Sequence, residues 1–285
     1  MNAAAEGRAP RVAFQGEPGA FGEEAAVRLL GEGVRPVPRP TFESLFAAVG
    51  DGAADLALAP VENTLAGSVQ RVYDLLLDSP LHLAAEVVIR VRHLLIGCPG
   101  STLEAVRAVE SHPVALAQCE RFFAARPGIR RVAAEDTAGS VAAVVRRGDP
   151  TRAAVAGRRA AEIYGGRVLL EGLEDHAENY TRFVLLSPEP ARPEGADKLS
   201  LVLGLPHRPG ALHRALEPFA RRRLDLLKIE GRPLRGRPWE YRFFLDLRAS
   251  PLDADATAAL EELRGRAADV RVLGFYPSWA GEGHE

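Results

Sequence analysis

Lysine is almost missing from this 285-residue chain: Lys198 and Lys228 are the only two, both in the C-terminal third. An active site in the first two thirds therefore has no lysine with which to form a Schiff base. Cysteine is as scarce. Cys98 and Cys119 stand alone among apolar neighbours, the pattern of small buried hydrophobes in a reducing compartment rather than of a disulfide framework. The cysteines form no CxxC and the histidines no HExxH, so no metal site is expected. GxSxG, Walker and GxGxxG sequences are absent too, which removes the usual pointers to a serine hydrolase or a nucleotide cofactor. Apolar runs stay well short of the roughly 20 residues of a membrane helix. Residues 1–10 lack a basic segment leading into an apolar one, so a cytoplasmic protein without a membrane partner is expected. A net charge of −2 and a pI near 6.4 give no broad cationic field, in spite of Arg221-Arg222-Arg223, and nucleic acid is not an expected partner.

What is present is an ordinary globular composition, 47% hydrophobic and 26% charged, over a length that suits two domains. From residue 10 to residue 187, short β-rich runs (11–15, 55–59, 106–111, 131–134, 153–156) alternate with helical patterns (19–31, 42–50, 67–77, 113–125, 137–147, 158–164). This is α/β patterning with mostly parallel strands. Longer extended segments, 83–97 and 181–186, would carry the chain between two lobes flanking a cleft. Residues 188–196 have the Pro, Glu and Gly content of a linker. From 197 to 279 the order is strand (198–205), helix (210–223), strands (226–232 and 239–247), helix (255–267) and strand (270–276), the ferredoxin-like βαββαβ unit.

Several short segments place polar groups at strand ends. Gln15–Gly22 puts glycines between a strand and a helix, where backbone N–H groups can meet an anion such as a carboxylate. Glu62, Asn63 and Thr64 follow an apolar strand, where ligands of open α/β sheets bind, although Asn63, Thr64 or Ser68 could simply cap a helix. Burial of Glu62 would raise its pKa toward that of a useful acid. Ser111 reads first as a helix cap and Gln118 as a solvent-facing helix residue. Thr181 and Arg182 open an apolar strand; a hydroxyl beside a guanidinium can hold a substrate carboxylate.

In order, VAFQGEPGAF, APVENTLAGSVQRVYDLL, ESHPVALAQC, EDTAGS, AAVAGRRAAEIYGG and NYTRFVLL resemble the prephenate dehydratase family, over nearly the whole chain from Val12 to Tyr276. The resemblance implies a two-lobed catalytic domain like type II periplasmic binding proteins (10–187), a linker (188–196) and an ACT regulatory domain (197–279). It implies a cofactor-free lyase that turns prephenate into phenylpyruvate, carbon dioxide and water in phenylalanine biosynthesis. It makes Thr181, Glu62, Asn63 and Gln118 the catalytic candidates, and Ser68, Ser111, Arg182 and Phe183 the substrate-binding ones. Thr181 is the implied donor to the leaving hydroxyl, with Glu62 the second candidate. Whether the substrate carries a keto or an amino side chain, prephenate or arogenate, stays open.

Gly210, Ala211 and Leu212, with Glu230, Gly231, Arg232 and Pro233, resemble the segments with which paired ACT domains bind phenylalanine, which implies feedback inhibition and a homodimer or homotetramer. Two positions depart from the family pattern. Serine is usual where this chain has Gly22, so one expected hydroxyl contact to substrate is missing from the first loop; ESRP is usual where it has Glu230-Gly231-Arg232-Pro233, which bears on effector affinity and identity.

Overall fold

A computed structural model describes residues 8–281 apart from 192, 235 and 237–239. The first lobe is built from β1 (Arg11–Gln15), β2 (Arg35–Arg39), β3 (Leu56–Asn63), β4 (Gly67–Ser68) and β5 (His82–Arg90), with α1 (Phe21–Leu30), α2 (Phe42–Gly50) and α3 (Gln70–Asp78). The second holds β6 (Leu94–Gly97), β7 (Ala108–Ser111), β8 (Arg130–Ala133), β9 (Arg152–Ala156) and β10 (Arg167–Glu171), with α4 (Pro113–Ala117), α5 (Glu120–Ala124), α6 (Thr137–Arg147) and α7 (Arg158–Tyr164). The chain then returns, and β11 (Tyr180–Ser187) inserts between β3 and β5, giving the order β2-β1-β3-β11-β5 in the first lobe against β10-β6-β9-β7-β8 in the second. The lobes are thus joined by two crossings, 91–93 and 172–179, which is the expected two-lobed, periplasmic-binding-protein-like arrangement with the return crossing just ahead of the extended segment at 181–186.

Local chemistry explains most element limits. Helix α6 starts where the Asp136 carboxylate accepts the Gly139 N–H at 2.6 Å and stops at Gly148 in the left-handed region (φ 64°), with Arg146 and Arg147 at its negative end. Strand β2 has the sequence RPVPR, which argues against a strand. It is tolerated because β2 lies at the sheet edge, where Pro36 and Pro38 need no outward N–H. The run expected as one helix over 113–125 breaks in two at Gln118 and Cys119. There the Asp175 carboxylate, from the return crossing, accepts the N–H groups of Glu120 (2.8 Å) and Arg121 (2.9 Å) and so starts α5 afresh.

The C-terminal part runs β12 (Lys198–Gly204), α8 (Ala211–Arg221), β13 (Leu226–Pro233), β14 (Tyr241–Arg248), α9 (Ala254–Arg264) and β15 (Asp269–Tyr276), with sheet order β13-β14-β12-β15. Trp239, the expected start of β14, lies outside the described residues. Helices α8 and α9 cover one sheet face, packing Ala215, Phe219, Leu260 and Leu263 on Leu199, Leu201, Leu203, Leu245 and Leu247. The opposite face does not meet solvent. Its Val202, Phe244, Leu273 and Tyr276 share one buried cluster with Leu45, Val61, Tyr73 and Leu83 of the first lobe. The approach is close enough that a β-carbon at Gly274 of β15 would fall 2.0 Å from the Leu83 carbonyl oxygen.

Candidate active site

The two crossings run side by side. Val91 N–H donates to Asn179 O (2.7 Å) and Leu173 N–H to His93 O (3.0 Å), while His93 N–H is held by the Glu174 carboxylate at 2.8 Å. Around this hinge the lobes touch. A β-carbon at Gly19, which has φ +88°, would meet Ala160 Cα of α7 at 2.7 Å. Glu23 of α1 bridges the gap, one carboxylate oxygen on Arg159 (2.7 Å) and the other on Gly19 N–H (2.7 Å).

At the junction lies a chain of neutral polar side chains whose directions can be deduced. Asn63 Oδ1 accepts the backbone N–H groups of Leu65 (3.0 Å) and Ala66 (2.8 Å), which can only donate. Its Nδ2 therefore points the other way, its two hydrogens shared among Asn179 Oδ1 (2.8 Å), Tyr180 O (3.1 Å) and Thr181 Oγ1 (3.0 Å). Asn179 Nδ2 must then donate to Gln118 Oε1 (2.9 Å), and the same oxygen faces His93 Nε2 at 2.8 Å. Five side chains from both lobes and both crossings are thereby ordered by two backbone amides. Thr181 Oγ1 is used as an acceptor, so its proton remains to be given; the Gln118 amide nitrogen carries no partner among the described residues. Asn179 and His93 are buried, His93 2% exposed. Burial pushes the His93 imidazole below its ordinary pKa, against the opposing pull of Gln118 and Glu174, and the ring is neutral at pH 7.

Of the residues singled out from sequence, Asn63, Gln118 and Thr181 come together here. Glu62 and Arg182 lie on the other side of the sheet, for an identifiable reason. Thr181 pairs with Asn63, Arg182 with Glu62, and Phe183 with Pro60, so Val61 is an extra residue, a β-bulge that shifts the alternation of β3 by one. Opposed residues share a face, so Asn63 joins Thr181 and Glu62 joins Arg182 toward the ACT sheet. There Glu62 Oε1 meets Lys228 Nζ at 2.7 Å. Ser68 follows, donating to Glu230 at 2.7 Å. Arg182 is gripped by Glu86 (2.7 Å), Asp246 (2.6 Å) and the Tyr276 hydroxyl (3.0 Å), and Lys198 holds the other oxygen of Glu86 at 2.6 Å. Burial pushes the Glu86 carboxyl up, but Arg182, Lys198 and the Trp279 N–H outweigh it and hold it below the usual glutamate range. No anion is needed to neutralise Arg182. Phe183 is buried in the core with Val12, Leu58 and Ile89, and Ser111 donates to Val155 O at 2.6 Å, tying β7 to β9.

The effector candidates divide in two. Gly210 is left-handed (φ 74°) at the start of α8, and Ala211 and Leu212 line a cavity of about 160 Å³ with Leu205, Pro206 and Phe243. On β13, Glu230 and Arg232 face the catalytic part, Arg232 on Asp74 at 3.1 Å, whereas Gly231 faces the Phe243 ring. Position 22 is also informative: a β-carbon there would lie 3.3 Å from Phe14 Cβ, so a side chain at Gly22 would press on β1.

His93, Asn179, Lys228 and Glu86 carry much of this geometry and were not singled out from sequence. A lone histidine or asparagine in a crossing gives no spacing signal. The scarcity of lysine was the one available cue, since both lysines pair with buried or half-buried carboxylates at the domain contact.

A two-lobed domain closed over a neutral hydrogen-bonding site, with a βαββαβ sheet packed behind it, is the class that fold and site define. The sequence profile described as prephenate dehydratase matches residues 12–191, and that described as ACT domain matches residues 199–265. "Arogenate dehydratase/prephenate dehydratase 2, chloroplastic" of Arabidopsis thaliana is 41% identical, covering 94% of this chain and 72% of that protein. Among solved structures, prephenate dehydratase in complex with L-Phe from Arthrobacter aurescens has a TM-score of 0.86 at 31% identity, covering 94% of this chain and 89% of that one. A structure described as GqqA, a novel type of quorum quenching acylases, has a TM-score of 0.87 at 35% identity, covering 95% and 98%. The chain belongs to the prephenate dehydratase family, and its activity is that of a carbon–oxygen hydro-lyase.

Proposed function

We propose that the protein converts prephenate to phenylpyruvate, carbon dioxide and water, with Thr181 donating a hydrogen bond to the departing hydroxyl. The observation that carries this is the direction of the Asn63 amide, which fills Thr181 Oγ1 as an acceptor and leaves its proton for the substrate. Loss of carbon dioxide from one ring carbon supplies the electron pair that aromatises the ring as hydroxide leaves the opposite carbon. One proton taken up from solvent converts that hydroxide to water, while the Thr181 hydroxyl hydrogen-bonds to it as it leaves. A threonine hydroxyl is a weak acid, so hydrogen bonding to the leaving group rather than free proton release is its part in the step. Gln118 Nε2 supplies a second neutral donor. Neutral donors suit this chemistry, because a cation fixed on the carboxylate that is lost would stabilise the ground state and slow its departure.

Thr181, rather than Glu62, takes the donor role, because Glu62 is engaged by Lys228 on the ACT side. Regulation by phenylalanine at the ACT part is supported by the cavity beside Ala211 and Leu212. Pairing of two or four copies is supported by β13, a sheet edge that exposes Leu227 and Ile229. The acylase description of one structural neighbour is not carried over. The Cys119 thiol is pushed up to about 12 by burial and the Ser111 hydroxyl is spent on Val155 O, so neither is an activated nucleophile.

The test is phenylpyruvate formation from prephenate, with arogenate as the parallel substrate and with phenylalanine present or absent. Thr181→Ala should lower kcat at least about a hundredfold, and Thr181→Ser should recover most of it. Near-normal turnover by Thr181→Ala would remove the hydroxyl from the mechanism, and faster turnover of arogenate would move the substrate preference to the amino compound.

A further inference from the structure

His93 lies outside the motifs that the family resemblance points to, yet it closes the polar chain at the hinge. The deduction that orients Asn63, Asn179 and Gln118 also fixes its tautomer. Gln118 Oε1 already accepts from Asn179 Nδ2 at 2.9 Å, and an amide oxygen only accepts, so the 2.8 Å contact requires the proton on His93 Nε2. Burial favours the neutral ring, in which Nδ1 is bare; that atom is buried and has no hydrogen-bond partner among the described residues. Leaving that lone pair unpaired costs stability, which an apolar residue at this position would avoid. The backbone of His93 is fixed on both sides by Glu174 and Leu173, and the edge of the Phe21 ring meets the imidazole with centroids 5.9 Å apart at 74°.

We propose that His93 is a positioning residue for the dehydration, its Nε2–H clamping Gln118 Oε1 so that the Gln118 Nε2 donor is turned toward the substrate. This rests on the reading of Gln118 as a substrate donor. Gln118 stands at the break between α4 and α5, where no continuing helix fixes its rotamer, and two donors converging on one oxygen leave the amide a single orientation. Without His93 the oxygen keeps only Asn179, and the amide is free to turn its nitrogen away. The clamp acts on the geometry of the reacting complex more than on substrate capture, so the loss falls on kcat.

Two measurements on the full-length protein test this. In nitrogen-15 NMR of the imidazole at pH 7, His93 should appear as the neutral, Nε2-protonated tautomer with Nδ1 unprotonated; an Nδ1-protonated ring or an imidazolium would overturn the clamp. In kinetics, His93→Leu should lower kcat about tenfold, the scale of one lost hydrogen bond, with KM changed less than about threefold. His93→Gln places an amide N–H near the position of Nε2 and should restore most of the loss. Wild-type kcat in His93→Leu, or a His93→Gln as impaired as His93→Leu at equal thermal stability, would also overturn it. Absence of turnover in the unaltered protein would sink the dehydratase reading instead, while the tautomer would still decide whether His93 holds Gln118.

Discussion

Replacing Arg182 by methionine separates two incompatible roles for a residue one position from the proposed donor. In the structure its side chain is 14% exposed and its guanidinium is paired with Glu86 and Asp246. Removing one partner of a buried ion pair costs about 3–5 kcal/mol because the charge left behind stays desolvated. The lower end applies, since Glu86 keeps Lys198 at 2.6 Å and the Trp279 N–H at 3.0 Å, and Asp246 keeps the Ser200 hydroxyl. Each kcal/mol moves the midpoint of a chain of this size by about 2–4 °C, so Arg182→Met should melt about 6–12 °C lower. The KM for prephenate should stay within about threefold. A substrate-binding arginine predicts the reverse: loss of a charge-assisted hydrogen bond of about 1.5–3 kcal/mol would raise KM by about 10- to 150-fold with little change in melting. Calorimetry and initial rates on the same preparation give both numbers. A stable variant with a greatly raised KM would refute the placement of Arg182 against the ACT sheet.

Glu62→Gln should leave kcat within about threefold and the shape of its pH profile unchanged; disappearance of an alkaline limb would restore Glu62 as a proton donor. Asp55 is held down to about 2, first by the Arg11 side chain. A depressed carboxyl stabilises the fold above its ordinary pKa and loses that contribution as pH falls through the folded value, so Asp55→Asn should cost about 1–2 kcal/mol at pH 7 after solvent screening. The gap between the two proteins should close between about pH 4 and pH 2 in denaturant titrations, and a gap that persists at pH 2 would rule out ionisation as its source. A β-carbon at Gly231 would meet only the Phe243 ring, at 3.5 Å and beyond, so Gly231→Ser should fold with a stability change within about 0.5 kcal/mol. Phenylalanine affinity by calorimetric titration should rise, and an unchanged affinity would take position 231 out of the effector site.

Elements with local signals were legible. The limits of α2, α6 and α7 follow from apolar spacing with an N-cap threonine, aspartate or glycine and, for α6 and α7, a left-handed C-terminal glycine. The βαββαβ order of the last third follows from its strand and turn spacing. What was not legible depends on partners distant in sequence. Asp175 breaks the helix at Gln118 by taking the Glu120 N–H from 55 positions away, and turns a helix-surface glutamine into a hinge residue. Residues 67–68 were expected in a helix, but the Asn63 carboxamide takes the Leu65 and Ala66 N–H groups and folds a hairpin instead. The bulge at Val61 decides whether Glu62 or Asn63 sits beside Thr181, and nothing in PVEN announces it. A period-two strand reading places Glu62 on the face opposite Val61, with Thr181, and only the strand register corrects this.

Both faces of the ACT sheet are packed, and this sets how the two parts can change over time. Val202, Phe244, Leu273 and Tyr276 complete the interior of the first lobe. The seam is a shared core crossed by buried charges, so exchanging the C-terminal part for that of another protein would take Lys198 from Glu86 and Asp246 from Arg182 and open a hollow beside Tyr73. Change on the inner face of the sheet is therefore constrained by the first lobe as well as by the sheet itself. One face of this four-stranded layer is thus part of a neighbouring domain's core.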